Sequence, residues 1–349
     1  MNTTTDTMAN TTQNIPVRHI GKNGPTVPAL GLGLMGMSAL YGAPPSDEER
    51  FKVLDHAVEI GSTFWDSSDM YGDNEELLGK WFKRTGKRNQ IFLVTKFGFL
   101  KGSSSEIDSS AAFCKNACAE SLRALGTEYI DLYYMHRANP KTPIEETMRA
   151  MLELKAEGKI KYIGLSEVSS STLRRACKVG QVDAVQAEYS PFEREIEGAV
   201  GTNLLDTCRE LGVTMVAYSP LGRGMLTGTL NSKQSISGDG DYRSLFPRFS
   251  EENLDANVKV VNQLKAMAEK KGCTAAQLAL AWVLKQGQHV IAIPGTKKIK
   301  YLEENFAALQ VILADAEEAE IREIVAGVVG ERTPDWTRYQ CYVDTVEEE

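Results

Sequence analysis

Eight short apolar runs recur along the chain, and a helix-type pattern follows most of them. The runs are Leu30–Met35, Thr63–Trp65, Ile91–Thr95, Ile130–Met135, Tyr162–Leu165, Ala184–Gln186, Val213–Ala217 and Val290–Ile293. Between them lie segments with helix punctuation. Ser46 with Glu49 forms a capping box ahead of a helix to Ile60. Thr142, Pro143 and Glu145 mark another start, with Ile144, Met148, Met151 and Leu152 on one face. Further helices are expected over Asn74–Arg84, Asp108–Leu125, Ser170–Val179, Leu204–Leu211, from Thr274 with Gln277, over Ile299–Leu309 and over Asp315–Val325. Strands alternating with helices exclude an antiparallel sandwich and point to a parallel sheet covered by helices. Eight repeats of that unit predict an α/β fold of the closed (β/α)8 barrel type. Val17–Ala29, turning at Gly21–Gly24, reads as a small hairpin ahead of it. The expected layout is a disordered tail over 1–15, one barrel domain over 16–330 with an extra C-terminal helix, and a tail over 331–349.

If the chain is a barrel, the C-terminal ends of its strands are where chemistry belongs. Strand two runs into Asp66, with Tyr71 five residues later and Gly72 to turn the chain. Strand three ends at Lys96 and strand four at His136. Singly, each has a bland reading: a helix cap, a half-buried aromatic, a solvated strand end, a satisfied core histidine. Together they fall on the same face of three successive strands. The combination suits carbonyl reduction, in which carbon takes a hydride and oxygen a proton. A free tyrosine has a pKa of about 10 and is a poor relay at neutral pH. An adjacent Lys96 ammonium favours the phenolate, and Asp66 keeps that ammonium charged. His136 orients the carbonyl oxygen, and Tyr71 is the acid for reduction and the base for oxidation.

Composition closes off other classes. With 349 residues and a net charge of −8, the chain is acidic and lacks a nucleic-acid-binding balance. No apolar run suggests membrane insertion. Six cysteines lack the spacing of a zinc or redox motif, and four histidines show no metal-ligand pairing, so no metal is expected. The Thr/Asn-rich start has neither the apolar core of a signal peptide nor the arginines of a transit peptide, which leads us to expect a cytoplasmic protein. Asn2 and Asn10 open glycosylation-type triplets that carry little meaning without secretion.

Gly31-Leu32-Gly33-Leu34-Met35-Gly36 matches the glycine fingerprint of dinucleotide-binding βαβ folds. That motif requires a helix at once and an acid about twenty residues on. Pro44 and Pro45 cut the helix short, and the acid is missing. The glycines more simply keep the first strand thin, so that a cofactor can approach at Gly33, Leu34 and Met35.

Asp66, Tyr71, Lys96 and His136, in that order and setting, resemble the catalytic tetrad of the aldo-keto reductase superfamily. The likeness runs from Val17 to about Leu309. It includes Gly164-Leu165-Ser166, Gln186-Ala187-Glu188-Tyr189-Ser190, Tyr218-Ser219-Pro220-Leu221-Gly222-Arg223-Gly224, Ile293-Pro294-Gly295-Thr296 and Leu302-Glu303-Glu304-Asn305. It implies a barrel that binds NADP(H) extended, without a separate nucleotide domain. It further implies that Asp66, Ser166 and Gln186 stand at the nicotinamide, with Tyr218 stacked on its ring. Ser219, Pro220, Leu221, Gly222, Arg223 and Gly224 would serve the pyrophosphate. Gly295, Thr296, Lys297 and Lys298 would meet the 2′-phosphate, and Glu304 and Asn305 the adenine. Many relatives carry Asn where this chain has Glu167, a substitution similar to fungal and plant pyridoxal- or aryl-aldehyde-type reductases. The resemblance thus implies an NADP-dependent reductase of aldehydes or ketones, with a small carbonyl substrate as partner. Pyridoxal, an aryl aldehyde, a sugar-derived carbonyl or a secondary metabolite all fit. Two other readings share the fold: a redox-sensing module similar to potassium-channel β-subunits, and a phosphate-binding barrel isomerase or lyase. The Gly/Ser-rich stretch 222–250, with its aromatic and basic patch Asp241–Phe249, is expected to be open in the free protein and to fold over bound cofactor.

Overall fold

The computed structural model describes residues 15–103, 105–230, 232–236, 238 and 241–348. The expected N-terminal tail and its two glycosylation-type triplets lie outside them, apart from Ile15.

A two-stranded antiparallel hairpin, β1 (Val17–His19) and β2 (Thr26–Pro28), comes first. Eight parallel strands follow: β3 (Leu32–Gly33), β4 (Phe64–Asp66), β5 (Phe92–Phe97), β6 (Ile130–Met135), β7 (Ile160–Ser166), β8 (Ala184–Glu188), β9 (Thr214–Tyr218) and β10 (Val290–Ala292). They neighbour one another in chain order, as right-handed strand–helix–strand crossovers dictate. The two edges then meet. Gly31 N–H donates to Ala292 O at 2.9 Å and Gly33 N–H to Pro294 O at 3.1 Å, so the ring is closed. Closure satisfies backbone groups that an open edge would leave unpaired.

Two apolar layers hold the barrel. Phe64, Val94, Leu132, Tyr134, Val216 and Ile291 fill the interior. The hairpin contributes Ile20 and Val27 to that cluster and so plugs the lower end. It is pinned there by Thr214, whose hydroxyl accepts from Gly21 N–H and donates to His19 O, both at 2.8 Å. Gly164 shows how tight the interior is: a Cβ there would sit 2.4 Å from the Tyr134 ring. The outer layer packs the helices against the strands through Trp65, Trp81, Trp282, Met148, Met151 and their neighbours.

Several helix boundaries follow from capping. The Ser46–Glu49 and Thr274–Gln277 boxes form as their spacing predicts. The helix expected from Asp108 instead begins at Ala111, capped by Ser110; Asp108 accepts from Ser110 N–H and makes a turn ahead of it. Thr142 does not cap its helix: Pro143 occupies that position and Ile144–Ala156 follows with no side-chain cap. Behind the glycine fingerprint lies a single helical turn, Met35–Ser38. One helix, Glu251–Lys271, is absent from the sequence reading. Its buried Leu254, Asn257, Val261, Leu264 and Ala268 stand at helical spacing, but the Gly/Ser run before it obscures its start.

The stretch before that helix is not featureless. Its described residues include four 3-10 turns: Gly222–Thr227, Lys233–Ile236, Tyr242–Leu245 and Pro247–Phe249. The chain end is also built in. Val343 lies alongside Val168, with Val343 N–H donating to Glu167 O at 2.8 Å and Ser169 N–H to Val343 O at 3.1 Å. Arg175 further clamps Thr345 O at 2.7 Å and Val346 O at 2.6 Å.

Candidate active site

The upper ends of β4, β5 and β6 bring four ionisable side chains together. Asp66 closes β4, Lys96 is the penultimate residue of β5, and His136 follows β6 directly. Tyr71 returns to them from the turn after β4. Lys96 Nζ lies 2.5 Å from Asp66 Oδ1, 2.7 Å from Ser67 O and 3.4 Å from the Tyr71 hydroxyl. The Tyr71 and His136 rings meet edge to face, with centroids 5.8 Å apart. Lys96 is fully buried and Asp66 nearly so. A buried charge without a partner is costly, and this pair satisfies both members.

The surroundings set each protonation state. Burial opposes the Lys96 ammonium, but Asp66 and Tyr71 outweigh it and raise its pKa above the ordinary lysine value. Burial raises the Tyr71 phenol as well; Lys96 pulls it down without overcoming that rise. The sequence argument counted only the ammonium, so the phenol is held protonated more firmly than expected. His136 is pushed well below the ordinary histidine value by burial, then by Lys96 and Arg137, and is neutral. Its Nδ1 lies 3.1 Å from Ser68 Oγ.

The quartet opens into a long cleft of about 720 Å³ along the upper rim. Most of the residues expected around a cofactor line it: Gly33, Leu34, Met35, Asp66, Gln186, Tyr218, Ser219, Pro220, Leu221, Arg223, Gly224, Gly295, Thr296, Lys297, Glu304 and Asn305. Ser166, Gly222 and Lys298 are not in that lining, and Lys96 meets the cleft through Asp66 and Tyr71, which are. At Gly33 a Cβ would lie 2.8 Å from Ile293 O, so the strand is as thin there as backbone contact allows. Ser219 and Arg223 hold left-handed backbone angles, φ 47° and 55°, which cost energy outside glycine and cluster at ligand sites. Arg223 Nε is buried with no hydrogen-bond partner among the described residues. That orphaned donor beside strained backbone fits an anionic group such as a pyrophosphate.

Other arrangements were not legible in the sequence. Gln186 donates its amide to Asp66 at 2.8 Å. Arg223 does not present its fork to the cleft; both terminal nitrogens grip Glu188, at 2.7 and 2.8 Å, with Phe246 stacked on the guanidinium. Glu167 is buried and tied to Arg332 of the C-terminal segment, at 2.6 and 3.1 Å. It also accepts from the Tyr218 hydroxyl at 2.9 Å. Burial would raise the Glu167 carboxyl, but Arg332 overrides it and brings the pKa down to about 2. Nothing local to Arg332 signals a partner 165 positions away. Arg137, directly after His136, lines the same cleft; its Nη1 donates to His136 O at 2.8 Å and Ser166 Oγ at 3.3 Å. Its adjacency to a strand-end histidine was the available clue.

The patch Asp241–Phe249 lies over the cleft. The Tyr41 and Tyr242 hydroxyls are 3.4 Å apart, Arg243 pairs with Asp241, and Lys297 donates to Tyr41 O at 2.7 Å. In this structure the segment is therefore docked, where the sequence reading expected it open.

Among known proteins, the sequence matches the Aldo/keto reductase family over residues 29–326. It is 51% identical over 315 residues to an aldo-keto reductase of Strobilurus tenacellus, covering 89% of this chain and 92% of that one. It is 47% identical over 339 residues to yakc, an aldo-keto reductase of Schizosaccharomyces pombe named for NADP(+), covering 95% and 98%. Among solved structures it resembles a glycerol dehydrogenase of Gluconobacter oxydans, with a TM-score of 0.80 and 27% identity over 91% of this chain and 97% of that one. It also resembles the holo form of an aldo-keto reductase of Bacillus halodurans, with a TM-score of 0.73 and 26% identity over 91% and 98%. A family match over most of the chain, on a closed barrel whose strand ends carry this quartet, places the protein in the aldo/keto reductase family.

Proposed function

We propose that this protein reduces aldehydes or ketones to alcohols, with Tyr71 as the proton donor and NADPH as the reductant. The observation that carries the reading is the buried chain Asp66–Lys96–Tyr71, with His136 beside the phenol at the mouth of the cleft. NADPH supplies the hydride when bound. A phenol held protonated by burial is ready to give its proton to a carbonyl oxygen. The Lys96 ammonium then stabilises the phenolate left behind, and Asp66 keeps Lys96 in place and charged. His136, neutral, can donate one hydrogen bond to the same oxygen, which fixes the carbonyl against Tyr71. Trp336, Thr337, Gln340 and Cys341 of the C-terminal segment, with Phe99 and Arg137, surround the space in which the substrate would sit. Consumption of NADPH with a carbonyl panel that includes 4-nitrobenzaldehyde tests the reading. Turnover on at least one member is expected; cofactor binding with no turnover on any would favour a sensing role instead.

At the far end of the cleft, Lys297 is held by Tyr41 O while Lys298 is exposed. Two ammonium groups after Pro294-Gly295-Thr296 suit a 2′-phosphate. NADPH should bind more tightly than NADH. Replacing both lysines by alanine should shrink that preference by about tenfold or more, the scale of one or two charge-assisted hydrogen bonds. Titration of both nucleotides against cofactor fluorescence decides it. Equal affinities in the parent protein would refute the assignment. No described helix is long and apolar enough to cross a membrane, and we take the site of action to be the cytoplasm.

The docked patch makes a further expectation concrete. Cofactor entry requires the Tyr41–Tyr242 and Lys297–Tyr41 contacts to part, and bound NADPH should favour their re-formation. Proteolytic nicking between residues 231 and 245, and hydrogen exchange of the same segment, should both slow at saturating NADPH. If neither changes, the segment does not clasp the cofactor.

A further inference from the structure

The histidine beside Tyr71 can assist reduction in only one of its two neutral forms. A carbonyl oxygen needs a donor, so Nε2 must carry the proton and Nδ1 must accept from elsewhere. The group at Nδ1 is Ser68 Oγ, 3.1 Å away. That hydroxyl has two further neighbours: Asp69 Oδ1 at 3.1 Å and Met70 N–H at 3.3 Å. A serine hydroxyl holds one proton and two lone pairs. Met70 N–H occupies one lone pair throughout. The remaining lone pair and the single proton must be shared between Asp69 and His136.

With Oδ1, the Asp69 oxygen that faces Ser68, as the one that takes the proton, two arrangements leave every group satisfied. In the first, the Asp69 carboxyl is protonated and donates to Ser68, Ser68 donates to Nδ1, and Nε2–H points its hydrogen away from Ser68. In the second, Asp69 has lost its proton to solvent. Ser68 then donates to the carboxylate, Nδ1–H donates to Ser68, and Nε2 carries a lone pair. The imidazole neither gains nor loses a proton overall; its single proton moves between nitrogens by exchange with solvent.

We infer that Ser68 and Asp69 are positioning residues that set the tautomer of His136, and with it whether Nε2 can donate to the substrate oxygen. A lone pair on Nε2 repels a carbonyl oxygen, and an alcohol whose O–H turned toward Nε2 could not give that proton to Tyr71. The first arrangement is therefore the competent one in both directions, and loss of the proton at the half-buried Asp69 withdraws the His136 donor from the substrate oxygen.

The electrostatics put this exchange within reach of ordinary conditions. Burial raises the Asp69 carboxyl, and the buried Glu75 on helix Asn74–Thr85 raises it further. The Ser68 hydrogen bond, then Lys96 on β5 and Lys101 beyond it, lower it, and the balance is about 7. Lys101 is exposed and engaged with Glu120 at 2.5 Å, and Lys96 is committed to Asp66. Burial, then Lys96 and Arg137, hold His136 neutral, and the rings of Tyr71 and Phe99 pack edge-on against it.

The functional consequence rests on the carbonyl-reduction reading above; the tautomer change does not, and so it is measured directly. In the full-length protein labelled with 15N-histidine, long-range 1H–15N correlations report which nitrogen of His136 bears the proton, with His136→Gln to assign the signals. At about pH 6 the Nε2–H form is expected, and at about pH 8.5 the Nδ1–H form. In Asp69→Asn, whose amide can donate to Ser68 at any pH, the Nε2–H form should persist at both. One tautomer at both pH values in the parent, or the same switch in Asp69→Asn, overturns the inference whether or not a substrate has been found. Where turnover is measurable, reductive kcat/KM should fall about tenfold per pH unit above about pH 7 in the parent. That limb should be missing in Asp69→Asn and in Ser68→Ala, which breaks the link without touching the carboxyl. If it persists in both variants, His136 is not set by this pair.

Discussion

Tyr71→Phe should lower the proposed carbonyl reduction by at least ~10²-fold, the usual scale for a positioned general acid, and leave NADPH affinity near that of the parent. The asymmetry follows from the geometry. The substitution deletes one oxygen, the atom 3.4 Å from Lys96 Nζ, and keeps the ring that packs edge-on against His136. No other described phenol has that relation to Lys96. Tyr133 and Tyr134 are buried in the strands, and neither hydroxyl is among the hydrogen-bond partners of Lys96. Tyr218 is committed to Glu167. A water taking the vacated position would be a weaker and less well-placed acid. Folding should be little affected, since the Lys96 ammonium keeps Asp66 and Ser67 O as partners. Stopped-flow hydride transfer with a reactive aldehyde, paired with a fluorescence titration of NADPH, separates the two effects. Near-normal transfer in this variant would remove Tyr71 from the mechanism. Loss of transfer together with NADPH binding would instead make it a structural residue.

How much of this was legible beforehand depends on the range of the interaction. The barrel was readable because each strand–helix unit announces itself locally, by apolar runs and by caps such as Ser46–Glu49 and Thr274–Gln277. The Asp66–Lys96–Tyr71–His136 quartet was readable because the fold supplies the long-range step: strand ends on one rim converge whatever their sequence separation. Glu167 stood out in sequence only as a departure. Its partner Arg332 belongs to a segment with no periodic pattern, whose course is set by contacts such as Val343 beside Val168. The direction of the Tyr71 shift was misjudged for a related reason. Neighbouring charges can be guessed from spacing, whereas the depth of burial, here the larger influence, emerges only from packing. The docking of Asp241–Phe249 likewise depends on Tyr41 meeting Tyr242 across two hundred residues.

Glu167 and Arg332 should give the largest loss of stability of any pair around the cleft. Both are buried, at 0% and 4% exposure, and their contact is bidentate. Removing one partner leaves the other as an uncompensated buried charge, at about 3–5 kcal/mol. Arg332→Met should therefore lower the thermal midpoint sharply and loosen the C-terminal segment, which would become open to proteases. Glu167→Gln should act similarly, since Arg332 then keeps only the longer contacts to Glu188 and Glu195, at 3.4 and 3.6 Å. Both variants loosen what anchors the Tyr218 hydroxyl, which donates to Glu167 at 2.9 Å and accepts from Arg332 at 3.4 Å, so NADPH affinity should fall with stability. The pH dependence has a definite sign. The folded Glu167 carboxyl, at about 2, lies below its ordinary 4.5. Its contribution is complete above the ordinary value and is lost as pH falls toward about 2, so the variants should differ from the parent least in strong acid. The double variant Glu167→Met/Arg332→Met discriminates between a charge requirement and a packing requirement, because it removes both charges and leaves apolar volume. Recovery of most of the lost midpoint, with NADPH affinity still reduced, would show that the buried pair serves to aim Tyr218 more than to hold the fold. A double variant as unstable as the single ones would show instead that the C-terminal segment is held on the barrel by this ion pair.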